Sequence, residues 1–269
     1  ELRFDGGVLD TEPFFLHFCN EKKDEWVGRI TESATAPITA TTPHGVVLSR
    51  PWGVALDGLL ASVLWHRRKW AARAAGETFT YQHDRTPEVL DLPLARCGDP
   101  DHDPDWHWMA TFADLHPHSP NTHPDIRWRT SRTDRTRLQH LSPVIGSQVV
   151  SDSTGRYQRR VIPVMAHPAT TLTWRAVGDP DRIRELLTEV PSIGKHRGVG
   201  EGLVTHWDVT ETPEVPDWSA GHEHETGVLG RTTPLRCLGA ATANAPGLET
   251  VRPPYLHPAS RTPAHSPAR

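Results

Sequence analysis

The segment Ser192 to Gly202 reads SIGKHRGVGEG, and sets Gly194, Gly198, Gly200 and Gly202 around Lys195, His196 and Arg197. Glycine accepts positive φ and admits a phosphate or a second backbone where a Cβ would clash. Adjacent amides in such a loop form an anion-binding concavity, to which Lys195 and Arg197 add charge. A tight helix-to-strand connection that needs left-handed residues is the competing explanation for the glycines. The loop follows a helix pattern and enters a strand pattern, whereas a P-loop or a dinucleotide fingerprint follows a strand and opens a helix. Both of those nucleotide motifs are therefore excluded.

A second basic stretch lies upstream. Thr86 to Asp125 carries a charge of -7 and Ile126 to Arg160 a charge of +6, so the chain's net charge of -4 hides two opposed blocks. The basic block contains Arg127, Trp128, Arg129, Arg132, Arg135 and Arg137, which offer charge and a stacking face to a polyanion. A solvated, salt-bridged surface is the rival explanation for any such run.

Proton-transfer chemistry is easy to find among 17 histidines and correspondingly weak as a signal. His196, His206 and His44, with Tyr157, are the candidates for proton transfer, but no spacing ties them together. The loops around Cys97, Asp101, His102, Asp103, His107, His116, His118 and His123 hold every usual metal ligand, yet their C-x4-H-x4-H spacing matches no strong zinc pattern. The expectation is no metal, no cofactor and no catalytic residue; G-x-S-x-G and HExxH are absent.

These residues need elements to hold them. Ile38 to Ser49 reads as a strand running into a turn, and Asp57 is a candidate cap for a helix striped by Leu56, Leu59, Leu60, Val63, Leu64 and Trp70 until Gly76. Arg67, Arg68, Lys69 and Arg73 on its polar side suit the negative end of the helix dipole as well as they suit RNA. Trp106 to Phe112, Gly155 to His167, Thr170 to Val177 and Leu203 to Val209 read as strands. Asp179 and Pro180 open a second helix, striped by Ile183, Leu186, Leu187 and Val190. Stripped of insertions the order is strand, helix, strand, strand, helix, strand: an α+β, ferredoxin-like plan in which an antiparallel sheet carries two helices on one face. The division is an arm or strand at 1–30, a ferredoxin-like unit at 31–210 with an acidic loop at 86–125 and an Arg-rich insertion at 126–160, and a Pro-rich extension at 211–269. Nine prolines and no periodic pattern make that extension extended chain, either disordered or laid on a partner.

Length and composition agree with one main fold and long connections, since 269 residues include 36% hydrophobic residues and 25 prolines. Arginines outnumber lysines 25 to 4, a bias better explained by base composition than by function. The longest apolar run, Val54 to Leu64, is too short for a bilayer, and the first residues lack a basic region leading into an apolar one. Three cysteines far apart exclude a disulfide framework, so a cytoplasmic protein is expected.

Three segments, RPWGVALDGLLASVL, SIGKHRGVGEGLVTHWDV and VRPPYLHP, together resemble the RAMP superfamily of CRISPR-associated proteins. They look closest to the type IV effector-complex subunit that corresponds to the fifth Cas family. In that superfamily a glycine loop lies between the last helix and last strand of a ferredoxin-like fold, as here. The helix and loop motifs fall within Ile38 to Thr210, while residues 1–30 and the acidic stretch resemble nothing known to us. The resemblance implies an RNA-binding subunit that caps the 5′ handle of a guide RNA, docks on backbone RAMP subunits and meets target nucleic acid through the guide. It implies that Gly194, Lys195, His196, Arg197, Gly198 and Gly200 hold handle phosphates, and that the Arg-rich block forms a hairpin or thumb over the RNA. Metal-independent cleavage of precursor guide RNA is the alternative, since some relatives cut with His, Tyr or Lys. A protein-interaction subunit without RNA contact is a second alternative.

Overall fold

The computed structural model describes residues 34–49, 53–79, 85–116, 123–131, 134, 136–137, 153–155, 158–212, 218–238 and 246–268. The proposed N-terminal arm, Arg132, Arg135, Tyr157 and His118 lie outside these residues. In chain order the elements are β1 (Ala34–Thr41), α1 (Leu56–Ala74), β2 (Arg96–Cys97), β3 (His107–Trp108), β4 (Asp114–His116), β5 (Asp125–Ser131) and β6 (Arg160–Ala166). There follow β7 (Thr171–Gly178), α2 (Pro180–Leu187), β8 (His206–Val209), β9 (Glu223–Glu225), β10 (Val228–Leu229), β11 (Thr233–Pro234), β12 (Gly247–Thr250) and β13 (Arg261–His265).

The main sheet has the order β4-β7-β1-β8, with every neighbouring pair antiparallel. With α1 between β1 and β4 and α2 between β7 and β8, this is the strand order of the ferredoxin-like plan. Alternation builds it. Ala36, Ile38 and Ala40 of β1 and Leu172, Trp174 and Ala176 of β7 share one face and are buried with Leu56 and Leu60 of α1 and Ile183 and Leu187 of α2. The Trp174 indole N–H donates to the Val54 carbonyl at 3.0 Å, which fixes the approach to α1. Among the described residues no helix is long and apolar enough to cross a membrane.

Several boundaries differ from the sequence-based expectation. The first strand ends at Thr41, before Pro43 and Gly45, and Val46 makes only an isolated bridge to His167. Asp57 does not cap α1: the N-cap is Ala55, and Asp57 is buried in the first turn, where its Oδ1 accepts from the Tyr255 hydroxyl at 2.7 Å. Trp70 is 64% exposed with the Arg73 guanidinium over its ring, so the apolar stripe stops a turn earlier. On α2, Asp179 caps as expected, accepting from the Asp181 and Arg182 amides at 3.0 Å.

The stretch Trp106 to Phe112 divides between β3 and single bridges to the main fold, and the sheet strand proper is β4, inside a stretch read as loop. β6, expected in the sheet, instead pairs with β5 over seven positions as a separate two-stranded ribbon. Residues 218–238 and 246–268 of the extension carry β9 to β13 and short 3-10 turns rather than unpatterned chain. Its strands are too short to show a period in the sequence, which is why none was legible. Arg175 of β7 anchors part of it, donating to the Glu223 and His224 carbonyls at 3.1 and 3.2 Å.

Candidate nucleic-acid interface

The glycine loop leaves α2 and is tied down at its base. The Ile193 amide donates to the Gly202 carbonyl at 2.8 Å, and the Lys195 amide donates to the Val47 carbonyl at 2.7 Å. Gly202 has φ +65°, and a Cβ there would lie 1.9 Å from the Ile193 carbonyl oxygen, so this glycine serves the tight connection. Gly198 is the opposite case: nothing lies within 4 Å of its would-be Cβ. The two explanations for a glycine-rich loop therefore divide between its base and its tip.

At the tip, His196 takes a left-handed conformation and leads into a 3-10 turn over Arg197–Val199, with Lys195, His196 and Arg197 exposed. Among the described residues no carboxylate pairs with Lys195 or Arg197. Gly194, Lys195 and Arg197 line a cleft of about 370 Å³ with Gly53, Gly58 and Leu59 at the start of α1, and with Tyr255. Glu249 stands on the same cleft. Residues of the three segments that carry the resemblance thus line one cleft, two of the segments being joined by the Asp57–Tyr255 hydrogen bond.

Beneath the loop sits a residue not singled out from the sequence. Glu201 is fully buried, and its carboxylate accepts hydrogen bonds from both Arg127 and Arg129 of β5. Burial alone would raise the Glu201 carboxyl, but the bonds from Arg129 and Arg127 outweigh it and hold the group below its ordinary value. Arg127 also donates to Asp125 at 2.7 Å and to the His44 carbonyl at 2.8 Å. Two arginines expected at RNA are thus occupied in clamping the ribbon to the loop. The period of two in Arg127-Trp128-Arg129 was the available signal, because it puts both guanidinium groups on one face.

Trp128 takes the other face and is 65% exposed, beside exposed Ile126 and Met165, which pair across the ribbon. Arg137 is exposed, its amide donating to Asp134 at 3.0 Å. The Trp207 indole donates to the Val190 carbonyl at 3.0 Å and its ring lies tilted against Trp174 at 5.6 Å. On α1, Arg67 pairs with Glu185 and Glu189 of the α2 region and Arg68 with Glu88, which gives them structural roles.

Of the ribonuclease candidates, three lie among the described residues. The side chains of His44, His196 and His206 are exposed and form no hydrogen bond with one another. Of the metal-ligand candidates, Asp103 accepts from the Asp99 amide within its own loop and His116 meets Thr173. Cys97 and His107, however, come together with His222 and Cys237, all four donor atoms lying within 4.8 Å of one another. The local C-x4-H-x4-H spacing did not show this grouping, because two of the four residues come from the extension, beyond the reach of any local spacing.

No protein-family model matches the chain, and no curated protein matches it. Among solved structures, a chain of "Cryo-EM structure of the Type III-B Cmr-beta bound to cognate target RNA" is similar at a TM-score of 0.31 and 10% identity, covering 74% of this chain and 68% of that one. The two share too little superposed backbone at that score to extend beyond a coarse likeness. The fold class rests on this chain's own strand order and helix placement.

Proposed function

We propose that the chain is a non-catalytic RNA-binding subunit whose glycine loop and α1 cleft receive the sugar-phosphate backbone of a single strand. The observation that carries this reading is the contrast within the loop: the base is pinned by backbone bonds, while Lys195, His196 and Arg197 are exposed, with no acidic partner among the described residues, around an open glycine tip. Cations with no acidic partner among the described residues favour an anionic ligand. The resemblance extends the proposal: a type IV CRISPR effector subunit that caps the 5′ handle of a guide RNA and docks on backbone RAMP subunits. The exposed apolar face of the ribbon, with Trp128, Ile126 and Met165, suits either base stacking or such a subunit.

The full-length chain should co-purify with RNA sharing a common 5′ end, and its affinity for single-stranded RNA should fall steeply with salt. Changing Lys195 and Arg197 together to Ala should flatten that dependence. Nucleic-acid-free protein with no salt-dependent affinity would overturn the reading in favour of a pure protein-interaction subunit. Cleavage of precursor RNA in EDTA, lost on changing His196 or His44, would establish the ribonuclease instead.

A further inference from the structure

We propose that Cys97, His107, His222 and Cys237 form a structural zinc site that fastens the C-terminal extension to the β2–β3 hairpin. Cys97 and His107 are register partners across β2 and β3, so one short hairpin presents a sulfur and an imidazole side by side. His222 precedes β9, and Cys237 closes the 3-10 turn after β11. The Cys97 and Cys237 sulfurs are 3.5 Å apart, and the His107 and His222 Nε2 atoms 2.8 Å apart.

A tetrahedral zinc with bonds of about 2.3 Å to sulfur and 2.05 Å to nitrogen separates its sulfurs by about 3.8 Å and its nitrogens by about 3.4 Å. The sulfur pair already meets that edge to within a few tenths of an ångström, and the nitrogens need to open by about half an ångström. An S2N2 donor set in a tetrahedron suits zinc, and the mutual closeness of all four atoms suits a single ion rather than a cluster.

The surroundings fit the same role. The His107 Nδ1–H donates to the Asp105 carbonyl at 3.1 Å, which leaves the Nε2 lone pair directed at the other donors, the usual outer-shell arrangement of a ligating histidine. Arg236, next to Cys237, is anchored by Asp105 at 2.8 Å, and its Nη2 is buried without a hydrogen-bond partner. Cys97, His107 and His222 are 5%, 0% and 8% exposed and Cys237 is half-buried, and with four protein donors the site suits a structural ion rather than a catalytic one with an open position. The site also explains how a proline-rich extension with few apolar residues stays packed on the fold.

The test is metal analysis of the reduced full-length chain after dialysis, followed by cobalt substitution. One zinc per chain is expected, and cobalt should give intense tetrahedral visible bands with a sulfur charge-transfer band that Cys97→Ser or Cys237→Ser each reduces by half. His107→Gln should keep the charge-transfer band while lowering zinc affinity by more than the roughly 10–100-fold that an outer-shell partner such as Arg236 commands. Stripping the metal with a chelator should expose residues 218–238 to protease, reversed by adding zinc. Should the variants fail to fold, the wild-type cobalt spectrum decides. Reduced protein that stays folded without zinc and gives no sulfur band with cobalt overturns the proposal, as does a Cys97–Cys237 disulfide in protein prepared under reducing conditions. RNA affinity is not a readout here, so this outcome is independent of the function proposed above.

Discussion

The glycine loop and the ribbon against it both carry cations close together in sequence, yet these stand in opposite electrostatic states. Arg127 and Arg129 converge on one buried carboxylate, Glu201, whereas Lys195 and Arg197 a few residues away on the same loop have no acidic partner among the described residues. Local positive charge is thus a poor guide to availability. What decides is whether the fold delivers an anion to the guanidinium group before a ligand does.

The largest expected effect separates base from tip. Gly202→Ala combines a left-handed residue with a backbone clash and should lower stability by about 3 kcal/mol or more in denaturant titration, while Gly198→Ala should stay within about 0.5 kcal/mol and affect only ligand affinity. Equal losses would erase the distinction. Next comes the clamp. Glu201→Ala leaves two arginines facing a cavity and should cost about 2–3 kcal/mol, less than the roughly 3–5 kcal/mol of a fully buried pair because the Arg129 side chain remains 42% exposed. A variant as stable as the parent in thermal unfolding would mean the ribbon is not held there.

The complementary change, Lys195→Ala with Arg197→Ala, should leave thermal stability within about 0.5 kcal/mol but cut single-stranded RNA affinity by about tenfold or more. The slope of log affinity against log salt should fall by about 1.4, at roughly 0.7 per lost phosphate contact. The smallest effect is the clamp's acid dependence. Because the Glu201 carboxyl is held below its ordinary 4.5, its contribution is full above that pH and is lost as pH falls through the lowered value. The stability difference between wild type and Glu201→Gln should therefore shrink on acidification below about pH 4.5, and a constant difference would count against an ionised clamp.

Much of the scaffold was legible because its signals are local. The α1 and α2 stripes, the Asp179 cap, the alternation of β7 and the position of the glycine loop between helix and strand each follow from residues a few positions apart. The errors cluster where a local pattern fits two partners. β6 reads as a strand either way, and only the available edge decided that it pairs with β5. Asp57 looked like a cap by position, but Tyr255, far along the chain, drew it into the interior.

The amino-acid order alone determined the alternation of helix and strand and the glycine tip, since backbone preference and side-chain period are properties of neighbouring residues. Only the folded chain decided which cations are neutralised and which four donors meet. Glu201 reaches Arg127 across 74 positions, and His107 meets His222 across 115, contacts set by how the layers pack rather than by any spacing in the sequence.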